Sequence, residues 1–219
     1  MYKFTIRLIA PLLLLLSTAS IADDFDRARP ERLGMSSDRL ERLDAVLKSY
    51  VDNDQLAGQV VMVLRRGKIA YASANGMQDI AAGIPMGTDT IFRIASQTKA
   101  IVSTGIMILH ERGALDIGHP LERYIPEWED MQVAVSNDDG GYSLEPSRRS
   151  ITLRNLLTHT GGMSYGSGPA ADKWEEAGFQ GWYFADRNEP VADTIARMAS
   201  LPLDEHPGER WIYGYNTDI

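Results

Sequence analysis

A serine and a lysine three residues apart, Ser96 and Lys99, occur in the apolar stretch FRIASQTKAIVSTG. The strand-like run TIFRIA ends just before Ser96, so we expect a helix to begin there and to place both side chains on one face. The helix N-terminus would offer N–H groups and partial positive charge to a developing oxyanion. Burial would lower the pKa of Lys99 and let its amine accept a proton from Ser96. Alternatively, Ser96 caps the helix and Lys99 extends to solvent. The local sequence leaves both interpretations open.

The C-terminal stretch HPGERWIYGYNTDI contains two further candidates, Tyr213 and Tyr215. A tyrosine is usually a buried aromatic residue whose hydroxyl group finds a hydrogen-bond partner. It becomes a general base when a neighbouring lysine favours the ionised form. The residue pattern does not choose between these two roles.

The stretch GMSYG, residues 162–166, matches the G-x-S-x-G pattern of a nucleophile elbow, with Ser164 as the nucleophile. That elbow requires a strand before the serine and a helix after it. Here a helix-like segment comes before the serine, and SGPAA follows it closely. We therefore interpret Ser164 as a turn residue.

The remaining patterns exclude several kinds of chemistry. His110 and Glu111 begin like a zinc-binding H-E-x-x-H motif, but Ala114 occupies the position of the second histidine. His159 lies at the end of a predicted helix, which favours a capping or turn role. No glycine-rich phosphate loop is present, and the chain has no cysteine. The sequence therefore predicts neither a cofactor nor a metal site.

The charge balance excludes another class of partner. The formal net charge of the 219 residues is −8, and no basic run occurs. Binding to phosphate backbones requires a basic face, so we expect no nucleic-acid partner.

The first 22 residues have the features of a signal peptide. Lys3 and Arg7 begin an N-terminal region whose apolar run is shorter than the ~20 residues that span a bilayer. Ser20 and Ala22 fit the rule for cleavage after small residues. We therefore predict a periplasmic or secreted protein with no membrane anchor after cleavage.

Hydrophobic periodicity, caps and turn residues predict the other elements. They are an amphipathic helix over 36–50, a hairpin over 58–76 around Arg66-Gly67-Lys68, a buried helix over 96–112, an exposed loop over 136–150, a short helix over 152–162, an irregular segment over 163–190 and a helix over 190–203.

Four blocks of the sequence, taken in order, resemble the serine β-lactamase and DD-peptidase superfamily. They are FRIASQTKAIVSTGIMILHERGALDI, YIPEW, ITLRNLLTHTGGMSYG and LPLDEHPGERWIYGYNTDI. Within the superfamily they look most like class C β-lactamase-related esterases, the family VIII carboxylesterases. The resemblance implies an α+β fold in which an antiparallel sheet is flanked by helices and joined by a helical subdomain. It implies one serine hydrolase domain over residues 23–219, incomplete at its C-terminus.

Carried over to this sequence, the resemblance implies that Ser96 is the acylated nucleophile and Lys99 its proton partner. Tyr213 would be the tyrosine of the second motif. Class C lactamases have Tyr-x-Asn there, whereas Tyr215 stands two residues after Tyr213 in this chain; this difference favours an esterase. The GMSYG stretch is similar to a motif that is not the nucleophile in these esterases. The third family motif, K-T-G, H-x-G or W-x-G, and further sheet strands would lie beyond Ile219.

The function that this resemblance implies is cleavage of an ester or amide bond in a small molecule through an acyl-enzyme, as in a carboxylesterase. A β-lactamase or DD-peptidase is the alternative enzyme. A penicillin-recognising protein without turnover, or an inactive fragment, is the alternative of another class. The oligomeric state cannot be predicted from the sequence.

Overall fold

The computed structural model describes residues 25–179 and 188–219. The chain divides into two compact units, the first ending at Phe92 and the second beginning at Arg93, and each is described by itself. The predicted signal peptide lies outside the described residues and stays a prediction. None of the described helices is long and apolar enough to cross a membrane.

The N-terminal unit combines one helix with a three-stranded antiparallel sheet whose strands are neighbours in chain order. Its main elements are α1 (Ser37–Asp52), β1 (Gly58–Arg65), β2 (Lys68–Asp79) and β3 (Ile84–Pro85). The hydroxyl of Ser36 accepts the Arg39 N–H and caps α1. Arg66 and Gly67 both have positive φ, 53° and 69°, as a two-residue hairpin turn requires. The predicted helix and hairpin are confirmed.

The C-terminal unit begins with the helix α2 (Gln97–Glu111). Gly113 has φ 70° and donates its N–H to the carbonyl of His110 at 2.9 Å, which ends the helix in the way the sequence predicts. The prediction that this helix is buried was wrong, because none of its residues is buried against other described residues.

A second hairpin occupies part of the segment predicted to be a loop. Strands β4 (Gln132–Ser136) and β5 (Tyr142–Pro146) pair antiparallel, and Val133 and Ala134 are buried. Residues 137–141 between these strands and 147–150 after them are irregular, as predicted. The prediction of a loop was wrong for 142–146, because the pairing with a partly buried strand outweighed the polar composition.

Three short helices complete the C-terminal unit: α3 (Leu153–Leu157), α4 (Ala171–Glu176) and α5 (Val191–Met198). Thr152 and Asn155 form a capping box that starts α3, so the predicted cap is confirmed. Helix α4 interrupts the predicted irregular segment, of which 180–187 lie outside the described residues. Helix α5 ends at Met198, earlier than the predicted stop at Pro202.

Single-turn 3₁₀ segments lie before, between and after these elements. They are Pro30–Leu33, Leu121–Arg123, Pro126–Trp128 and Tyr215–Asp218.

The buried core of the described chain lies in the C-terminal unit. Trp174 stacks on Tyr215 with their ring centroids 5.9 Å apart, and its indole N–H donates to the Pro202 carbonyl at 3.1 Å. Trp174 therefore buries a large apolar area while its indole N–H keeps a partner. The core residues are Leu121, Trp128, Met131, Val133, Ile151, Leu156, Met163, Trp174, Phe179, Ile195, Met198, Leu201, Leu203 and Tyr215.

Candidate active site

Ser96 lies at the residue that begins α2, as the sequence predicts. Its hydroxyl group makes no capping hydrogen bond to the helix, so the interpretation of Ser96 as a simple cap was wrong. The preceding residue, Ala95, has φ 44°, a conformation that is unfavourable for a residue with a Cβ atom. Strain of this kind, of order 1–3 kcal/mol, clusters at functional sites.

The backbone N–H of Ser96 is not used by the residues around it. The N–H groups of Gln97 and Thr98 donate to the carbonyls of Ile94 and Ala95, each at 3.0 Å. The N–H of Ser96 has no acceptor among the described residues. It is therefore available to a ligand oxygen at the positive end of the helix.

Lys99 does not extend to solvent. Its side chain is only 12% exposed, and Nζ lies 2.9 Å and 3.0 Å from the two carboxylate oxygens of Asp218. The alternative in which Lys99 reaches bulk water was therefore wrong. Asp218 lies 119 residues further along the chain, in the 3₁₀ turn that follows Tyr213.

The charge state of Lys99 differs from the sequence-based expectation. Burial by itself lowers the pKa of Lys99, but hydrogen bonds and charges from Asp218 and Tyr165 outweigh it. The net result is a pKa raised above the ordinary lysine value. Lys99 is therefore an ammonium ion at neutral pH, and the expectation that burial makes it a proton acceptor was wrong.

Tyr213 lies beside both residues. Its ring centroid is 5.6 Å from the Lys99 Nζ, and its phenol group is hydrogen-bonded to the Ser96 hydroxyl. That hydrogen bond is the main reason why the pKa of Tyr213 is lowered, with smaller contributions from Tyr165 and the Lys99 charge. Burial and the Asp218 carboxylate act in the opposite direction. The structure thus brings Ser96, Lys99 and Tyr213 together.

Two further residues, Tyr165 and Asp218, lie with Ser96, Lys99 and Tyr213 and were not predicted from the sequence. Tyr165 hydrogen-bonds to Lys99, and its ring centroid lies 5.7 Å from the Lys99 Nζ. It belongs to the GMSYG stretch, where only the serine had been considered. Asp218 could not be paired with Lys99 from the sequence, because nothing in its local pattern indicates a distant lysine.

Tyr215 has the structural role that the sequence left open for the two tyrosines, that of a buried aromatic residue with a hydrogen-bonded hydroxyl group. It is 2% exposed, and its hydroxyl donates to the Phe179 carbonyl at 3.2 Å. Burial raises the pKa of Tyr215 to about 12. It is a core residue and is protonated at neutral pH.

Asn216 is also part of the fold. Its side chain is fully buried, accepts the Gly161 N–H at 3.0 Å, and donates to the carbonyls of Met163 and Ile212 at 2.9 Å and 3.1 Å. The amide therefore joins the loop after α3 to the segment that carries Tyr213. These bonds occupy both ends of the amide group.

Ser164 has the features of a turn residue. It is 7% exposed, its hydroxyl oxygen accepts the Ser167 N–H at 2.9 Å, and its own N–H donates to Asp204 at 2.7 Å. No strand leads into it and no helix begins at it. This geometry does not fit a nucleophile elbow.

The cluster has the parts of a nucleophilic acyl-transfer centre. It combines a hydroxyl group, a phenol of lowered pKa, an ammonium ion held by a carboxylate, and a free amide at a helix N-terminus. No group of acidic or histidine side chains among residues 25–179 and 188–219 is arranged to hold a metal ion.

Comparisons with known proteins show which family this chain resembles. The profile of the family described as Beta-lactamase matches residues 43–218. Esterase EstB from Burkholderia gladioli is 35% identical over 182 residues, which are 81% of this chain and 43% of EstB. The structure of EstCE1, described as a hydrolase with promiscuous acyltransferase activity, has a TM-score of 0.65 and 25% identity over 81% of this chain and 44% of EstCE1. Simvastatin synthase (LovD) from Aspergillus terreus has a TM-score of 0.63 and 27% identity over 84% of this chain and 46% of LovD.

The chain spans less than half the length of these relatives. The matched part has the β-lactamase/transpeptidase-like fold, an α+β arrangement of antiparallel sheets and helices, so the expected fold class is confirmed. The relatives include hydrolases, which supports an enzyme. On the family match and the identity to EstB, this chain belongs to the Beta-lactamase family, the serine β-lactamase/transpeptidase-like proteins.

Proposed function

We propose that this chain carries the acyl-transfer centre of a serine hydrolase that acts on esters, with Ser96 as the nucleophile. The observation that carries the proposal is the hydrogen bond of Ser96 to a tyrosine of lowered pKa. Tyr213 lies within reach of the serine proton, and an activated hydroxyl is what nucleophilic catalysis requires.

In the proposed first step, the ionised Tyr213 takes the proton of the Ser96 hydroxyl as its oxygen attacks the ester carbonyl. The bond between the carbonyl carbon and the leaving oxygen then breaks. Tyr213 returns the proton to the leaving alcohol, and the acyl group remains on Ser96. In the second step, water attacks the acyl carbon and Tyr213 takes a proton from the water. The bond between the acyl carbon and the Ser96 oxygen breaks, Tyr213 gives the proton to that oxygen, and the free acid and the Ser96 hydroxyl are released.

Lys99 supports these steps as a cation. Because Asp218 and Tyr165 raise the pKa of Lys99, the ammonium is not the proton acceptor. Its charge favours the ionised form of Tyr213. Asp218 holds the ammonium in place, at the cost of opposing the ionisation of Tyr213 slightly.

The free N–H of Ser96 stabilises the negative charge that develops on the carbonyl oxygen. It points from the N-terminal end of α2, where the helix dipole adds to the effect. A donor of this kind contributes about 10²–10³ to the rate of related reactions.

The esterase relative favours an ester over other acyl substrates. Transfer of the acyl group to an alcohol instead of water is the second candidate reaction, since EstCE1 combines hydrolysis with acyltransferase activity. Both reactions share the same acyl-Ser96 intermediate. A β-lactamase or DD-peptidase remains the alternative for the substrate, and acylation without turnover is the alternative of another class.

Intact-protein mass spectrometry after mixing with a p-nitrophenyl ester of a short acid tests the proposal. The expected result is one acyl adduct, mapped to Ser96, which decays as acid is released. The S96A variant should form no adduct, whereas the control S164A should form it normally. Adduct formation on Ser164, or hydrolysis that survives in S96A, would contradict the proposal. A stable adduct with no turnover would select the non-catalytic alternative.

A further inference from the structure

His159 lies next to the proposed centre although the sequence indicated only a turn residue. It follows α3 and has φ 54°, a left-handed conformation that few non-glycine residues adopt. Its carbonyl accepts the Ile212 N–H at 2.8 Å. This backbone hydrogen bond ties the turn to the residue directly before Tyr213.

The imidazole ring itself packs on Tyr213. The two ring centroids are 4.6 Å apart with an angle of 39° between their planes. Trp211 stacks on the same tyrosine at 6.2 Å and meets His159 edge-on at 6.2 Å. Tyr165 also meets the Tyr213 ring edge-on at 5.8 Å, so the His159 contact is the shortest of these three ring contacts. The histidine therefore restricts where the phenol can lie.

The surroundings of His159 keep its ring uncharged. Burial and the Lys99 ammonium lower the pKa of His159, and the smaller effect of the Asp218 carboxylate only partly opposes them. The buried Nδ1 has no hydrogen-bond partner among the described residues. A buried cation without a partner would be costly, so the neutral ring is the stable form.

We propose that His159 is a positioning residue, whose imidazole ring holds the Tyr213 phenol within hydrogen-bonding reach of Ser96 and beside Lys99. This proposal rests on the proposed function. The charged and titratable groups that face the ring are Lys99, Asp218 and Tyr213. His159 does not itself exchange a proton with the substrate.

The H159N variant removes the ring and leaves the backbone unchanged, because asparagine tolerates the left-handed conformation. We expect kcat to fall about tenfold with KM within about twofold, since a misplaced base slows the chemical step more than binding. Without the His159 ring, the Tyr213 phenol would be held less firmly against Ser96. The hydrogen bond that lowers the pKa of Tyr213 would then be weaker. The acidic limb of the pH–rate profile should therefore move to higher pH.

A matched control is available in the same unit. His119 also contacts a tyrosine ring, Tyr124, at 6.1 Å, and bonds to its hydroxyl group. The H119N variant should therefore leave kcat and the acidic limb unchanged. An H159N variant with unchanged kcat, or with lower kcat and an unmoved acidic limb, would overturn the positioning role.

The titration of Tyr213 tests the proposal without turnover. The ultraviolet absorbance of tyrosinate is followed against pH, and subtraction of the Y213F curve isolates Tyr213. In H159N the pKa of Tyr213 should rise towards the ordinary tyrosine value; an unchanged titration would overturn the proposal. If Ser96 forms no acyl adduct, the proposed function fails, while this titration still decides the role of His159.

Discussion

Tyr213 and Tyr215 are two residues apart, yet they belong to two different regions of the molecule. Tyr213 is 40% exposed and lies beside Ser96 and Lys99, whose hydrogen bond and charge lower its pKa. Tyr215 is 2% exposed and packs in the core, where burial raises its pKa to about 12. The same residue type is thus made more acidic or less acidic by its surroundings alone.

Gly214 lies between the two tyrosines. Its backbone is extended, with φ 178°. A Cβ atom at this position would lie 2.4 Å from the Ser164 carbonyl carbon. The segment therefore approaches the GMSYG turn closely, and one turn contributes Tyr165 to the site while Met163 enters the core.

This difference predicts that substitutions of residues around Tyr213 reduce activity, whereas substitutions of residues around Tyr215 reduce stability.

The largest effect is expected for S96A. We expect ester hydrolysis to fall by about 10³-fold or more, because the nucleophile is lost. Steady-state kinetics measures this loss, and thermal unfolding should be close to that of the wild type. Residual activity within about tenfold of the wild type would place the nucleophile elsewhere.

Y213F should have the next largest effect. Removal of a general base typically costs about 10²–10⁴-fold, so kcat should fall in this range with little change in the free energy of unfolding. In the unmodified chain, activity should rise as Tyr213 loses its proton. Because its pKa is lowered, that rise should occur at lower pH than for free tyrosine. A rise at or above the pKa of free tyrosine would show that Tyr213 is not the base.

N216A tests the buried residue that directly follows Tyr215. It removes three hydrogen bonds to the backbone, two of them buried and one partly buried, and leaves these backbone groups without the amide partner. We expect the free energy of unfolding to fall by about 3 kcal/mol, measured by denaturant titration. The control N137A, at an exposed turn where Asn137 accepts a hydrogen bond from Ser143, should cost less than about 1 kcal/mol. Equal losses in the two variants would contradict a special role for Asn216.

D218N should reduce activity about tenfold by freeing the Lys99 ammonium. Asp218 raises the pKa of both Lys99 and Tyr213. Its neutralisation should therefore move both limbs of the pH–rate profile to lower pH, the opposite direction to H159N on the acidic limb. The control E209Q breaks another ion pair of the same unit, Arg148–Glu209 at 2.9 Å, and should leave the profile in place. A D218N profile that coincides with that of E209Q would exclude the proposed role of Asp218.

Y215F should have the smallest effect and completes the comparison. It removes the hydrogen bond to the Phe179 carbonyl, which should lower the free energy of unfolding by about 1 kcal/mol. The kinetic constants should stay within about twofold of the wild type. If Y215F lost as much activity as Y213F, the separation of the two regions would be wrong.

Local patterns predicted much of the fold. The Ser36 cap, the Arg66-Gly67 turn and the Thr152 capping box involve residues close together in the chain, so their physics is visible in the sequence. The hairpin β4–β5 and the helix α4 were missed, because their stability comes from pairing and packing rather than from strong propensity. The burial of α2 was predicted wrongly from its apolar composition alone.

The candidate site shows the same difference between features set by neighbouring residues and features set by distant ones. Ser96, Lys99 and Tyr213 were predicted from motifs and from the family resemblance, and the structure brings them together. Tyr165, Asp218 and His159 were not assigned to the site, since each reaches it from a turn whose local sequence carries no sign of the contact.

The sequence by itself determined the helix that begins at Ser96, the one-turn spacing to Lys99 and the choice of two candidate tyrosines. Only the tertiary structure decided which tyrosine faces the serine and which charge Lys99 carries. The reason is physical: spacing along a helix is a local property, whereas a pKa depends on burial and on charges that the fold brings from distant parts of the chain. The carboxylate that keeps Lys99 charged comes from 119 residues away.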